Sequence, residues 1–320
     1  MASPLFDIRS LRMYFPINSS VFGKPKLLKA VDDVSFQLFE GETFGLVGEF
    51  GCGKTTVGRT LVRLYKPTGG QILYRGEDIA PLDEKAVTPY RSRMQMIFQD
   101  PYASLNPRMT VSSIIAEPMK LQGAPQQEIT ARVAELIEQV GLKKDHLSRY
   151  PHEFSGGQRQ RIGIARSLAM RPEFIVCDEP ISALDVSIQA QVINMLEELQ
   201  EQMGMTYLFV SHDLSMVRHI SHRVGVMYLG HMVELATAEE LYSNMQHPYT
   251  QALMSAVPIA DPDLAAKSRR IVLQGDVPQP IDPPPGCPFA SRCRCCKPIC
   301  REQRPAMREI APGHFLACHL

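Results

Sequence analysis

Apolar and polar positions along the chain follow two rhythms. Residues 5–15 and 31–39 alternate with a period of two, as half-buried strands do, across a Gly-, Pro- and Lys-containing loop at 18–27. Thr43–Val47, Gln71–Tyr74 and Met94–Phe98 are short apolar runs of strand length. The period then lengthens. Over Glu128–Val140 the apolar residues Val133, Leu136, Ile137 and Val140 share one helical stripe, and Gly141 is placed to end it. A second helical stretch follows Ser155-Gly156-Gly157 and runs through Met170 to a stop at Pro172. Phe174–Cys177 is continuously apolar, the pattern of a strand buried on both faces. An amphipathic helix over Ser187–Met203 leads to a strand at Thr206–Val210, another helix, and paired strands near 223–236. Strands alternating with helices imply an α/β fold with a largely parallel central sheet.

The alternation breaks twice. Residues 100–172 are mostly helical and read as an insertion into the α/β pattern. From about Pro258 the texture changes again. Pro278, Pro280, Pro283, Pro284 and Pro285 precede a cysteine cluster, which predicts a main domain over 1–257 and a small cysteine-rich extension over 258–320.

At 320 residues the chain has room for one large domain and a smaller one. Its 34 Lys and Arg balance 34 Asp and Glu, so bulk charge offers no case for nucleic acid or an anionic membrane as partner. No apolar run approaches the ~20 residues of a spanning helix, and the first residues lack a basic segment followed by an apolar core. A cytosolic protein is expected, with any membrane association made through a partner. Cys52 and Cys177 stand alone in the first 286 residues, whereas the other six cysteines lie in 287–320. In a reducing compartment that crowding suggests a metal or iron–sulfur site more than disulfides.

The chemistry centres on Gly48-Glu49-Phe50-Gly51-Cys52-Gly53-Lys54-Thr55-Thr56, which fits G-x-x-x-x-G-K-[ST]. An apolar strand precedes it and a helix-forming stretch from Gly53 to Leu64 follows. Glycines let the backbone wrap tightly enough to aim N–H groups at phosphates, and the helix N-terminus adds its positive dipole end. Lys54 is expected to reach the β- and γ-phosphates and Thr55 to hold Mg²⁺. Phe50 is odd, because it places a bulky ring in a loop that usually carries small residues there.

A second element is the strand that ends Cys177-Asp178-Glu179. Open α/β sheets bind ligands at the carboxyl ends of their strands, so Asp178 is expected to support Mg²⁺ and Glu179 to polarise the water that attacks the γ-phosphate. A third is Phe154-Ser155-Gly156-Gly157-Gln158. Two glycines ahead of a helix, with the Ser155 hydroxyl, present donors to an anion; a plain helix cap by Ser155 is the blander alternative.

With this string the sequence resembles the ATP-binding subunits of ATP-binding cassette transporters, whose signature is Leu-Ser-Gly-Gly-Gln, with Phe154 as a variant first position. The resemblance spans nearly the whole chain. It implies a phosphate-loop ATPase cassette with a parallel central sheet, an antiparallel β subdomain and a helical insertion. It also implies residue roles. Gln99, at the end of the strand Met94–Phe98, matches the glutamine that contacts Mg²⁺ and the attacking water. Ser182-Ala183-Leu184-Asp185 matches the loop that communicates across a nucleotide-binding dimer. His212 matches the histidine on the γ-phosphate. Phe15, with Tyr14 as runner-up, matches the aromatic that stacks on adenine; core packing is the alternative for either.

Three further strings narrow the resemblance: Phe98-Gln-Asp-Pro-Tyr-Ala-Ser-Leu-Asn-Pro107, His247-Pro-Tyr-Thr-Gln-Ala-Leu253 and Gly286-Cys-Pro-Phe-Ala-Ser-Arg-Cys293. They are similar to the ATPases of dipeptide and oligopeptide importers, a group that includes nickel importers, and most of all to the second of the two ATPases such systems pair. The resemblance implies a head-to-tail heterodimer with a homologous ATPase. It further implies two integral membrane permease subunits, an indirect link to a substrate-binding protein, and a peripheral position on the cytoplasmic face of a bacterial inner membrane. Nickel or glutathione import, or a soluble cassette ATPase without a transport role, are the alternatives. The cassette itself touches no cargo. Cys287, Cys293, Cys300 and Cys318, spaced C-x5-C-x6-C-x17-C, match four positions that carry a [4Fe–4S] cluster in the family. Zinc or metal-free packing are alternatives, and Cys295 and Cys296 are extra. In the family the position of Phe50 is normally Ser or Asn, so impaired hydrolysis at this chain's own site is expected.

Overall fold

The computed structural model describes residues 3–17, 26–257, 270–275, 278–281, 283 and 285–320. Most of the loop expected at 18–27, the start of the expected linker (258–269) and Pro284 lie outside the described residues. In chain order the strands are β1 (Phe6–Ile17), β2 (Lys26–Leu38), β3 (Thr43–Val47), β4 (Gly69–Tyr74), β5 (Glu77–Asp78), β6 (Met94–Ile97), β7 (Phe174–Asp178), β8 (Thr206–Val210), β9 (Arg223–Tyr228), β10 (His231–Thr237), β11 (Arg308–Ala311) and β12 (His314–Leu316). The helices are α1 (Lys54–Leu61), α2 (Glu84–Arg91), α3 (Pro101–Ser104), α4 (Val111–Leu121), α5 (Gln126–Gln139), α6 (Gly156–Leu168), α7 (Val186–Met203), α8 (Leu214–Ile220), α9 (Ala238–Ser243) and α10 (Pro248–Met254), with a last short helix at Pro298–Glu302. They form two compact units, one of Met1–Phe39, Thr43–Pro81 and Ser211–Leu320, the other of Glu40–Glu42 and Leu82–Val210.

The first unit holds an antiparallel sheet in the order β2-β1-β4-β5. β1 and β2 pair from Phe6↔Leu38 to Ile17↔Lys26. β2 thus starts five residues earlier than its alternation predicts. Its first residues are exposed or half-buried, so cross-strand hydrogen bonds set that end and leave no apolar period in the sequence. The same unit carries strands in the order β11-β12-β10-β9-β3. β3 runs parallel to β9, from Phe44↔Arg223 to Val47↔Val226, and every β3 residue is buried. β12 pairs antiparallel with β10 at Glu234↔Leu316 and Leu235↔Phe315, so the C-terminal extension adds strands to this sheet. α1 stops at Leu61 rather than Leu64. Arg63 takes a left-handed conformation, φ 58°, and its buried Nε donates to the Ile79 carbonyl.

The second unit has the parallel order β8-β7-β6, with Phe174 opposite both Thr206 and Met94. β7 and β8 are buried along their whole length, which is why they read as unbroken apolar runs. α5 buries Val133, Leu136 and Ile137 as its stripe predicts. It ends on Gly141 at φ 69°, whose N–H bonds to Glu138 while that of Leu142 bonds to Ile137. α6 passes close to α7: a Cβ on Gly157 would lie 2.5 Å from a methyl of Ile188. Among the described residues no helix is long and apolar enough to cross a membrane.

Candidate nucleotide site and its supports

In the first unit, β3 delivers the chain directly into the glycine loop, and α1 starts at Lys54. Two of the glycines have no room for a side chain. A Cβ at Gly48 would lie 2.2 Å from the Met227 carbonyl oxygen, and one at Gly53 would lie 2.1 Å from that of Ala30. Both also take positive φ, 151° and 105°. The loop therefore turns against β9 and β2 at a distance only glycine permits, the tight wrap a phosphate cradle requires. The loop fits ATP in this respect. Lys54 is 5% exposed, and its ammonium donates to the carbonyls of Gly48 (2.8 Å) and Glu49 (3.1 Å). Thr55 and Thr56 follow on the first turn of α1. Burial pushes the Cys52 thiol up, against the opposing pull of the Lys54 charge.

The two aromatics weighed for adenine differ in their ties. The Tyr14 hydroxyl donates to Asp32 at 2.5 Å, and burial together with that bond pushes it up to about 12. Phe15 packs edge-on against Tyr65, ring centroids 5.5 Å apart. Phe50 is 68% exposed, and its ring lies 4.9 Å from that of His212, tilted by 40°. The structure thus brings together two residues far apart in sequence, one the expected γ-phosphate ligand and the other the anomaly of the loop. Asp213, next to His212, caps α8 by accepting from the N–H groups of Ser215 and Met216.

In the second unit, β7 ends at Asp178, fully buried, and Glu179 follows at 5% exposure. Glu179 has φ 46°, a left-handed conformation that costs a non-glycine residue about 1–3 kcal/mol. Its N–H bonds to Val210, its carbonyl accepts from Ser182, and Gln99 donates to its carboxylate at 2.6 Å. The paired Gln99 and Glu179 are thus in direct contact, and the strain was not readable from the sequence. The signature serine adopts the blander of its two readings in this state. The Gln158 N–H reaches the Ser155 hydroxyl at 3.4 Å and Gln158 Oε1 accepts the Ser155 N–H at 3.1 Å, a reciprocal capping box at the start of α6. Asp185 occupies the N-cap position of α7.

The string His247-Pro-Tyr-Thr-Gln-Ala-Leu253, in sequence only a mark of resemblance, has a physical role in the structure. His247 Nδ1 accepts the Tyr249 N–H and caps α10, and the buried Glu234 accepts the N–H groups of Gln246 and His247. α10 in turn presents Tyr249, whose hydroxyl accepts the Glu49 N–H of the phosphate loop at 2.8 Å. His247 is 1% exposed, and burial pulls its pKa from 6.5 down to about 4. The unfolded chain takes up this proton first, so its contribution to stability is complete above pH ~6.5 and declines as pH falls towards 4. By pH 5 the loss from this residue alone is about 2 kcal/mol. The variant His247→Asn keeps a capping acceptor without a titrating ring. Its Tm is expected to fall less between pH 7 and pH 5 than that of the parent, as measured by thermal denaturation; parallel Tm–pH curves would refute this.

The cysteine expectation finds no support in a formed site. Among the described residues no group of three or more His, Cys, Asp or Glu is arranged to hold a metal ion, so Cys287, Cys293, Cys300 and Cys318 are not assembled as a ligand set in this structure. Cys287 and Cys300 are buried, with the Cys287 N–H bonded to the Cys300 carbonyl. Burial, with the neighbouring thiols of Cys300, Cys318 and Cys293 adding to it, pushes Cys287 up to about 11. Burial raises Cys293 and Cys318 as well.

Fold and loop together define a phosphate-loop nucleotide-binding cassette. A family model described as ABC transporter matches residues 31–182, and one described as oligopeptide/dipeptide transporter, C-terminal region, matches 233–300. The chain is 58% identical to the oligopeptide transport ATP-binding protein AppF of Bacillus subtilis, over 99% of this chain and 97% of that protein. It is 50% identical to OppF of Salmonella typhimurium, also named an oligopeptide transport ATP-binding protein, over 98% and 95%. The solved ATP-binding cassette MJ0796, a dimer in a post-hydrolysis state bound to ADP and Pi, superposes with a TM-score of 0.65 at 25% identity, covering 73% of this chain and 98% of that one. The chain belongs to the ATP-binding cassette transporter ATPases that carry the oligopeptide/dipeptide transporter C-terminal region.

Proposed function

We propose that the chain binds and hydrolyses ATP to energise import of oligopeptides, working as one of two homologous cassettes on a pair of membrane permease subunits. The observation that carries the catalytic part is Glu179, buried, held in a left-handed conformation and bonded to Gln99. Strained backbone of that kind clusters at functional sites. Glu179 polarises the attacking water and Gln99 orients it. The N–H groups of the loop from Gly48 to Thr56, with Lys54, would hold the phosphates; by the resemblance Thr55 and Gln99 are the residues that would hold Mg²⁺, with Asp178 in support, and the ion would supply charge neutralisation on the phosphates. Phe15, free of the polar tie that engages Tyr14, takes adenine. Ser155, Gly156, Gly157, Gln158 and Asp185 serve the partner cassette's nucleotide: a helix N-terminus of this kind pays off only when a γ-phosphate faces it, so ATP closes the pair and ADP does not.

The permeases place the complex peripherally on the cytoplasmic face of a bacterial inner membrane, with a binding protein supplying substrate. Co-purification with two integral membrane proteins, and ATPase activity raised by a peptide-loaded binding protein, test this reading. Activity indifferent to both would overturn it. For the cysteine module, a [4Fe–4S] cluster rests on the resemblance and on the mutual proximity of the thiols rather than on a formed ligand set. Iron content of protein purified without oxygen tests it, and iron-free protein of full activity removes it.

Phe50 bears on the same site. Its ring packs at a tilt against the His212 imidazole, and the polar side chain the family uses there is lost. The variant Phe50→Ser is expected to raise ATP turnover of the assembled complex several-fold. Equal rates for the two proteins would refute an impaired site.

A further inference from the structure

The second residue of the phosphate loop is acidic. An unpaired carboxylate at Glu49 would repel the nucleotide phosphates its own loop is shaped to hold. Arg292 answers that charge. Its guanidinium grips the Glu49 carboxylate with both arms, Nη1 to Oε2 at 2.7 Å and Nη2 to Oε1 at 3.2 Å, across 243 residues of sequence. The Arg292 side chain is 7% exposed and that of Glu49 26%, so the pair is partly shielded from the solvent that weakens surface ion pairs. Nη1 also reaches the Tyr228 hydroxyl at 3.4 Å. The backbone of Glu49 is held as well, through the hydroxyl of Tyr249. Tyr228, Tyr249 and Phe289 pack on one another with centroids 4.7–5.4 Å apart, and Phe289 and Arg292 both belong to the cysteine-rich string Gly286–Cys293.

We infer that Arg292 is a positioning residue for the phosphate loop: through Glu49 it sets the loop in the shape that receives ATP. The C-terminal extension thereby tunes nucleotide affinity, and this rests on the ATP-binding reading above. The loop needs outside support because Gly48 and Gly51, on either side of Glu49 and Phe50, both take positive φ and leave the backbone between them little stiffness of its own. A bidentate arginine pair fixes orientation as well as distance, which lysine cannot reproduce.

The test measures KM and kcat for ATP in the assembled complex, and binding of a fluorescent ATP analogue to the full chain. The variants are Arg292→Met, Arg292→Lys, Glu49→Gln and the double Arg292→Met/Glu49→Gln. Each of Arg292→Met and Glu49→Gln is expected to raise KM roughly tenfold with kcat within about twofold, the mark of lost binding shared by ground and transition states. The double variant is expected to be no worse than the worse single, because both act through one contact. Arg292→Lys is expected to recover part of the loss. Unchanged KM with only a lowered Tm would overturn the proposal and leave the pair a structural tie. So would effects that multiply in the double variant. A parent chain that fails to bind the analogue would overturn the nucleotide reading, and this proposal with it.

Discussion

Replacing Glu179 with Gln is expected to slow ATP hydrolysis by about 10²–10⁴-fold while leaving ATP binding within a few-fold of the parent. The substitution removes the negative charge and basicity of the carboxylate and little else. Gln fills the same volume, tolerates φ 46° no worse than Glu, and can still accept the Gln99 amide that now donates to Glu179 at 2.6 Å. The buried surroundings stay packed, so a loss of rate cannot be assigned to unfolding. Binding measured by nucleotide titration, beside single-turnover hydrolysis, separates the two effects. A rate within about threefold of the parent would remove Glu179 as general base.

Lys54→Met is expected to act on binding instead, weakening ATP affinity by more than about 100-fold. Lys54 makes two charge-assisted hydrogen bonds inside its loop, to Gly48 and Glu49, and is the loop's one cation. Charge-assisted bonds are worth about 1.5–3 kcal/mol each, so losing two phosphate contacts of this kind removes about 3–6 kcal/mol of binding. Methionine keeps the length of the side chain but leaves the two carbonyls without their donor, at a further cost of about 1–3 kcal/mol in stability. Titration with ATP and thermal denaturation read the two losses separately. Unaltered affinity would mean that the loop N–H groups suffice and that Lys54 serves only to hold the loop closed.

The paired consequences of Lys54 and Arg292 bear on how the loop works without nucleotide. Lys54 ties the loop from within and Arg292 with Tyr249 from outside. On the proposed reading the inner tie is exchanged for phosphate when ATP enters, whereas the outer one persists. Affinity is set by how little the loop has to rearrange, which is the physical content of preorganisation.

What the sequence determined by itself was local. The glycine loop, the stripe of α5 ended by Gly141, the unbroken apolar β7 with its terminal Asp178, and the helix cap at Ser155 each lie within a few residues of chain. The forces that shape them, steric freedom at glycine, apolar periodicity and capping of unpaired N–H groups, act over that same range. Tertiary structure alone decided the rest. Arg292 meets Glu49 across 243 residues and Tyr249 meets it across 200. β12 joins β10 at the sheet edge, and β2 begins early because β1 is there to pair with it. Phe50 comes to rest on His212, and the strain at Glu179 arises where the ends of β7 and β8 meet. The cysteine spacing counted ligands without showing convergence, since burial and backbone packing place each thiol. Long-range contacts depend on which surfaces the whole chain brings together, and no window of sequence short enough to read by eye contains both partners.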